Sequence, residues 1–123
     1  LDKITELRRK NAIYLLKNLK KLSSKIILPQ EAPESSSNWH IFAIRVPRLL
    51  RDKVIAGLRS YGIEVSFHYL PLHTSGMGKE MGYRRSDLPV TQEVSSSLIR
   101  LPIYPNLKKP EMNYIVAALE KVI

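Results

Sequence analysis

Cysteine is absent from this chain. That excludes a disulfide framework, a thiolate zinc site and any redox role resting on a thiol. Long apolar runs are absent too. None approaches the ~20 residues needed to span a bilayer, and the N-terminus reads as a charged helix rather than a secretory leader. A cytoplasmic protein without a membrane partner is expected. Acidic residues are in short supply, 11 against 20 lysines and arginines, for a formal net charge of +9. Such an excess brings nucleic acid, acidic membrane surfaces and phosphorylated ligands into view as partners. It is uneven, with Arg8, Arg9, Lys10, Lys17, Lys20, Lys21 and Lys25 all in the first segment. A solvated helix face is the plain reading of that run.

What is present suffices for one globular domain. The 123 residues can bury a core but not two comfortable ones. Hydrophobic content of 44% with 25% charged argues against disorder. Leu1 to about Leu22 reads as a helix, with Ile4, Leu7, Asn11, Leu15, Leu19 and Leu22 at three- and four-residue spacing. No capping residue precedes it, from which further sequence before Leu1 is expected. Ile26–Leu28 reads as a short strand, and the serine- and glutamate-rich stretch 30–38 as a loop. Trp39 to Val46 is apolar at nearly every position and fits a central strand covered on both sides, which makes His40 a structural residue. Leu50, Val54, Leu58 and Tyr61 mark a second helix, closed by Gly62.

From Ile63 to Tyr69 apolar and polar residues alternate, so Ile63, Val65, Phe67 and Tyr69 are expected on a packed face and Glu64, Ser66 and His68 on the other. The stretch delivers His68, Tyr69 and His73 within six positions around Pro71, a plausible lining for a polar cleft. Residues 74–89 read as an irregular loop with room for one helical turn, its Met77 and Met81 filling gaps. Pro89 opens a short helix carrying Val94 and Leu98. Ile99, Leu101 and Ile103 form a strand that Pro102 demotes to an edge or a bulge. A last amphipathic helix runs from Pro110 through Met112, Ile115, Val116, Leu119 and Val122. The economical fold is α/β (α+β): a small two-layer sandwich, with helices packed on a three- to four-stranded sheet.

Four ordered motifs resemble one known family. Arg9, Asn11-Ala12 and Tyr14 are similar to its first-helix signature. Trp39–Val46 followed by Arg51, Val54, Leu58 and Gly62-Ile63 resembles its next strand–helix unit. His68-Tyr69-Leu70-Pro71-Leu72-His73 is similar to its "HY.PLH", and Leu101-Pro102-Ile103-Tyr104-Pro105 to its "LP.yP". The family is the DegT/DnrJ/StrS group of pyridoxal-phosphate-dependent sugar aminotransferases, with the type I aminotransferase fold. The resemblance covers the whole chain but only the C-terminal third of a full-length member. It implies that residues 1–123 are the small domain of a longer enzyme, without the large cofactor-binding domain. The family's Schiff-base lysine and pyridinium-partner aspartate lie in that large domain. No motif for them occurs here, so this piece alone is expected to bind no cofactor stably and to transaminate nothing.

The resemblance also assigns roles. His68 lies at the active-site cleft in the family, so here it would bind the sugar nucleotide or steady a proton beside the cofactor. Tyr69, His73 and Arg100 join it as candidate substrate-binding residues. On their own evidence they read more blandly: Tyr69 as a core ring with a wet hydroxyl, His73 as a loop stabiliser, Arg100 as a surface cation able to clamp a carboxylate. His68 and His73 stand five apart with no third ligand, so no metal is expected. Gly76-x-Gly78 matches neither nucleotide fingerprint, and no helix clearly starts there.

The parent enzyme would pass an amino group from an amino-acid donor to a keto-sugar nucleotide, in amino-sugar and polysaccharide biosynthesis, as a homodimer. A sugar dehydratase of the same family is the near alternative. A basic nucleic-acid-binding module is the distant one, supported by charge but not by any exposed aromatic pair on the strands. A third reading is an interaction domain using Leu7, Leu15 and Leu19 as an apolar patch.

Overall fold

A computed structural model describes residues 1–123. Helix α1 (Asp2–Leu19) runs on into a 3₁₀ turn (Lys20–Leu22). Strand β1 (Phe42–Arg45), helix α2 (Arg51–Ser60), a 3₁₀ turn (Leu72–Thr74) and the short helix α3 (Gly76–Glu80) follow. Helix α4 (Pro89–Ser97) leads directly into strand β2 (Leu98–Leu101), and α5 (Lys109–Val122) closes the chain. Helix α5 packs against both α1 and α2, and the three bury one face of the sheet. Ala12, Leu15 and Leu19 of α1, Val54 and Leu58 of α2 and Ile115 and Leu119 of α5 meet Phe42, Ile44, Ile99 and Leu101 in one core. Each fully buried side chain of this size contributes about 1.5–3 kcal/mol of transfer free energy. The two-layer architecture therefore follows the apolar pattern.

The sheet is smaller than the alternation predicts. Strands β1 and β2 pair antiparallel, Phe42 opposite Leu101 and Ile44 opposite Ile99. The two expected outer strands shrink to single bridges, Ile27 to Arg45 and Ser66 to Arg100. Proline explains the truncation. Ile27 and Arg45 exchange both backbone bonds, at 2.8 and 2.9 Å, so the next hydrogen-bonded positions pair Pro29 with Ala43 and Lys25 with Pro47. Ser66 and Arg100 do the same, at 3.4 and 2.7 Å, and the next such pair on one side is Glu64 with Pro102. A proline has no N–H to give at any of these positions. The ladders end where the donors do.

Several expectations at single residues also give way. The Trp39–Val46 stretch is covered on one face only: Phe42, Ile44 and Val46 are buried, whereas His40 and Ile41 are exposed. His40 is thus no core residue, and its Nδ1 lies 2.7 Å from Asn38 Oδ1 at the surface. Leu15 and Leu19 are sealed in the core, so no exposed patch rests on them. Met77 and Met81 fill no gap; both are exposed. A helix does start at Gly76, where Ser75 Oγ accepts the Gly78 N–H at 3.1 Å. Gly78 has no Cβ because one there would collide with the Leu72 carbonyl and the His73 backbone. Its role is close approach rather than a phosphate cradle.

Part of the charge on α1 and the turn after it is paired. Lys10 meets Glu6 at 2.9 Å and Lys21 meets Glu120 at 2.7 Å. Arg9 donates to Ser36 Oγ at 2.6 Å and to the Ser37 carbonyl at 2.9 Å, and so holds the 30–38 loop against the helix. No helix is long and apolar enough to cross a membrane.

Candidate functional site

The end of α2 determines where the site begins. Gly62 adopts a left-handed φ of 72°. Its N–H bonds the Arg59 carbonyl at 2.9 Å, and the Ile63 N–H bonds that of Leu58 at 3.1 Å. This is a Schellman closure, with Ile63 and Leu58 both buried beneath it. The chain leaves it extended, buries Ile63 and Val65, and touches β2 once at Ser66. Beyond Ser66 the packed face ends. Phe67 is partly exposed and Tyr69 is 78% exposed. Tyr69 is therefore not a core ring.

Two clefts flank this segment, and its side chains divide between them. Ser66 and His68 face the first, an open cleft of about 980 Å³ whose other walls include Arg100, Tyr104, Glu111 and Tyr114. Phe67 and Tyr69 face the second, of about 580 Å³, together with His73, Lys79, Arg84 and Arg85. The four candidates named by the sequence thus fall into two pairs. His68 and Arg100 share the first cleft; Tyr69 and His73 share the second.

In the first cleft Arg100 lies 3.3 Å from His68, guanidinium Nη1 to imidazole Nδ1. Ser66 Oγ lies 3.5 Å from the same nitrogen. Arginine has only donors, so this contact bonds only when Nδ1 carries a lone pair. The proton of the neutral ring then resides on Nε2. Arg100 is itself well placed, since its backbone pairs with Ala43 on one side and Ser66 on the other, while Ile99 and Leu101 anchor it in the core. Tyr69 sets its ring edge-on to His68 from the other side, centroids 4.6 Å apart. At the rim, partial burial raises the Tyr104 phenol above its usual pKa, and the Glu111 carboxylate beside it adds to the effect. The hydroxyl donates to that carboxylate at 3.4 Å.

The second cleft has a different character. His73 is 5% exposed, and its Nε2 has no hydrogen-bond partner. Gln92 Oε1, on α4, is also buried and unpartnered. Arg51 stacks on the Phe67 ring at 4.5 Å and donates to the Ser95 carbonyl at 3.1 Å.

Sequence reasoning passed over the rim residues Tyr104, Glu111 and Tyr114. Only the start of α5, where Glu111 accepts the Lys108 N–H at 2.7 Å, brings them beside His68. Neither cleft offers a site for covalent attachment of a carbonyl cofactor. No lysine lines the first, Lys79 in the second is exposed, and every other lysine is exposed elsewhere. A Schiff-base amine needs desolvation or a neighbouring cation to lose its proton near neutrality. These residues do not fit that role.

The architecture has counterparts among known proteins. The model of the DegT/DnrJ/EryC1/StrS aminotransferase family matches residues 1–120. A pleiotropic regulatory protein of Geobacillus stearothermophilus is 31% identical over 94% of this chain and 31% of its own length. The dTDP-3-amino-3,4,6-trideoxy-alpha-D-glucose transaminase of Streptomyces venezuelae is 30% identical over 76% of this chain and 24% of its own. The crystal structure of S. venezuelae DesV in complex with a ketimine intermediate superposes with a TM-score of 0.90 at 29% identity, over 98% of this chain and 32% of that one. The chain spans about a quarter to a third of the length of the relatives it matches, and its helices and two-stranded sheet correspond to the small domain of pyridoxal-phosphate aminotransferases. On the strength of a match over nearly all its residues, the chain belongs to the DegT/DnrJ/EryC1/StrS aminotransferase family.

Proposed function

We propose that residues 1–123 are the C-terminal small domain of a pyridoxal-phosphate-dependent aminotransferase acting on keto-sugar nucleotides. In this reading the first cleft is one wall of its substrate site. The observation that carries the proposal is the His68–Arg100 contact in the wall of the open cleft, in a chain of this family. Bound pyridoxal phosphate supplies the carbonyl and electron-sink chemistry of amino transfer. A large domain of the same polypeptide would hold it, and homodimerisation would complete the pocket.

The part played by this chain is binding and orientation. Arg100 spends one N–H on His68 Nδ1 and keeps the rest of its fork for a carboxylate, the group every amino-acid donor carries. By holding Nδ1 as acceptor, it directs the His68 Nε2–H outward as a donor to a substrate hydroxyl or carbonyl oxygen. Ser66 supports the same nitrogen. His73 and Tyr69 would act from the neighbouring cleft, on a different part of the substrate.

The test is made in the full-length enzyme. Replacing Arg100 with Ala should raise KM for the amino donor roughly ten- to a hundredfold, the size of a lost charge-assisted bond. Cofactor absorbance should be unchanged. An unaltered donor KM would remove Arg100 from the site. Failure of the full-length protein to transaminate any keto-sugar nucleotide would remove the reading itself.

A further inference from the structure

His68 Nδ1 has two neighbours, and only one of them can follow a change of charge on the ring. Arg100 Nη1 lies 3.3 Å from it and Ser66 Oγ 3.5 Å. A guanidinium donates and never accepts, whereas a hydroxyl does either. While Nδ1 carries a lone pair, Arg100 donates to it. Once a proton occupies Nδ1 that bond is lost, two cations stand side by side, and Ser66 Oγ is the acceptor left within reach. Imidazole is the side chain that ordinarily changes charge between about pH 5 and 8. The other titratable and charged groups around it are Glu64 and Tyr69 on its own segment, Tyr104 ahead of α5, and Glu111 and Tyr114 on that helix. Neither carboxylate pairs with the ring. That of Glu111 is taken up by the Lys108 N–H and the Tyr104 hydroxyl. No lysine lines the cleft.

We propose that Ser66 is a positioning residue: by accepting the Nδ1–H of protonated His68 it releases Arg100 and turns the pair into a two-cation seat for a carboxylate. In the neutral state one N–H of the Arg100 fork is spent on the ring, and the two side chains carry one charge between them. In the protonated state the ring brings its own charge, Ser66 holds it with Nε2–H toward the cleft, and the whole fork is free. A carboxylate entering between them gains a second charge-assisted bond. Its binding therefore draws a proton from solvent onto His68. A neutral ligand gains neither. The inference rests on the substrate-wall reading of this cleft only for the source of the carboxylate, the amino donor. The exchange of partners at Nδ1 needs no substrate.

The test is nitrogen NMR of the imidazole and guanidinium groups in the 123-residue chain, from about pH 8 down to about pH 5.5, folding being monitored by amide-proton dispersion. At the alkaline end the His68 proton is expected on Nε2. The Arg100 side-chain signals should then move in step with the ring as acid is added. Acetate, the simplest carboxylate, is titrated at both ends, and its affinity should be at least about tenfold higher at the acid one. Ser66→Ala should keep the alkaline tautomer but cut that gain below about threefold. Ser66→Thr, which retains the hydroxyl, should restore it. An Nδ1–H tautomer at alkaline pH, Arg100 signals that ignore the ring, no saturable acetate binding in acid, or a full gain in Ser66→Ala would each overturn the proposal. None of these readouts involves amino transfer, so their failure is distinct from a full-length enzyme that transaminates no keto-sugar nucleotide.

Discussion

The two clefts on either side of Ser66–Tyr69 are built on opposite terms. In the first, the polar groups satisfy one another: Arg100 donates to His68, Ser66 supports it, and Tyr104 bonds Glu111. Its histidine is half-buried and reachable. In the second, the histidine is buried, its outward nitrogen is unpartnered, and cations gather around it in excess of carboxylates. A satisfied network holds its donors in place before a ligand arrives. An unsatisfied one costs free energy until something binds. One contiguous stretch of chain feeds both, with Ser66 and His68 lining the first and Phe67 and Tyr69 the second.

Three predictions bear on that contrast. The largest effect is expected from His73→Ala, which empties a nearly sealed site and should cost about 3 kcal/mol of unfolding free energy. His68→Ala, on the open side, should cost under about 1 kcal/mol. Equal midpoints in urea for the two variants would erase the distinction. Next comes Gly78→Ala, whose new Cβ meets the backbone beneath His73 and should cost about 2 kcal/mol. Gly76→Ala, two positions earlier with open space around it, should be close to neutral. A neutral Gly78→Ala would show that the floor of the second cleft yields. The smallest effect concerns the first cleft. The Tyr104 pKa is raised above its ordinary value of 10.0 by burial and by Glu111. A group raised on folding contributes stability that is complete below its unfolded pKa and is lost as pH climbs through the folded one. Absorbance at alkaline pH should show one tyrosine titrating late, and Glu111→Gln should bring it back toward the others. A wild-type curve in which every tyrosine titrates together would contradict the packing of Tyr104 against Glu111.

Much of the fold was legible residue by residue. The spacing of Leu15, Leu19 and Leu22 placed α1, Gly62 closed α2, and Pro110 opened α5 within one residue of its start. Even the short sheet was written in Pro29, Pro47 and Pro102, since each stands where a bridge would have had to continue. That inference needs the register, however, and register comes from the assembled sheet. His68 was singled out by its place in an alternating stretch. Its partner Arg100, 32 positions away, was merely a polar residue on another strand until β2 paired with Ser66.

Local pattern, then, determined which segments become helices, where they stop, and which side chains seek the core, because those preferences act over a few residues. It could not decide which extended segments keep a covered face. Phe67 and Tyr69 look as buried in the sequence as Ile63 and Val65, yet only the latter pair joins the core. That decision, and with it the division of one polar stretch between two clefts, belongs to tertiary packing. Burial depends on what lies opposite, and what lies opposite is distant in sequence.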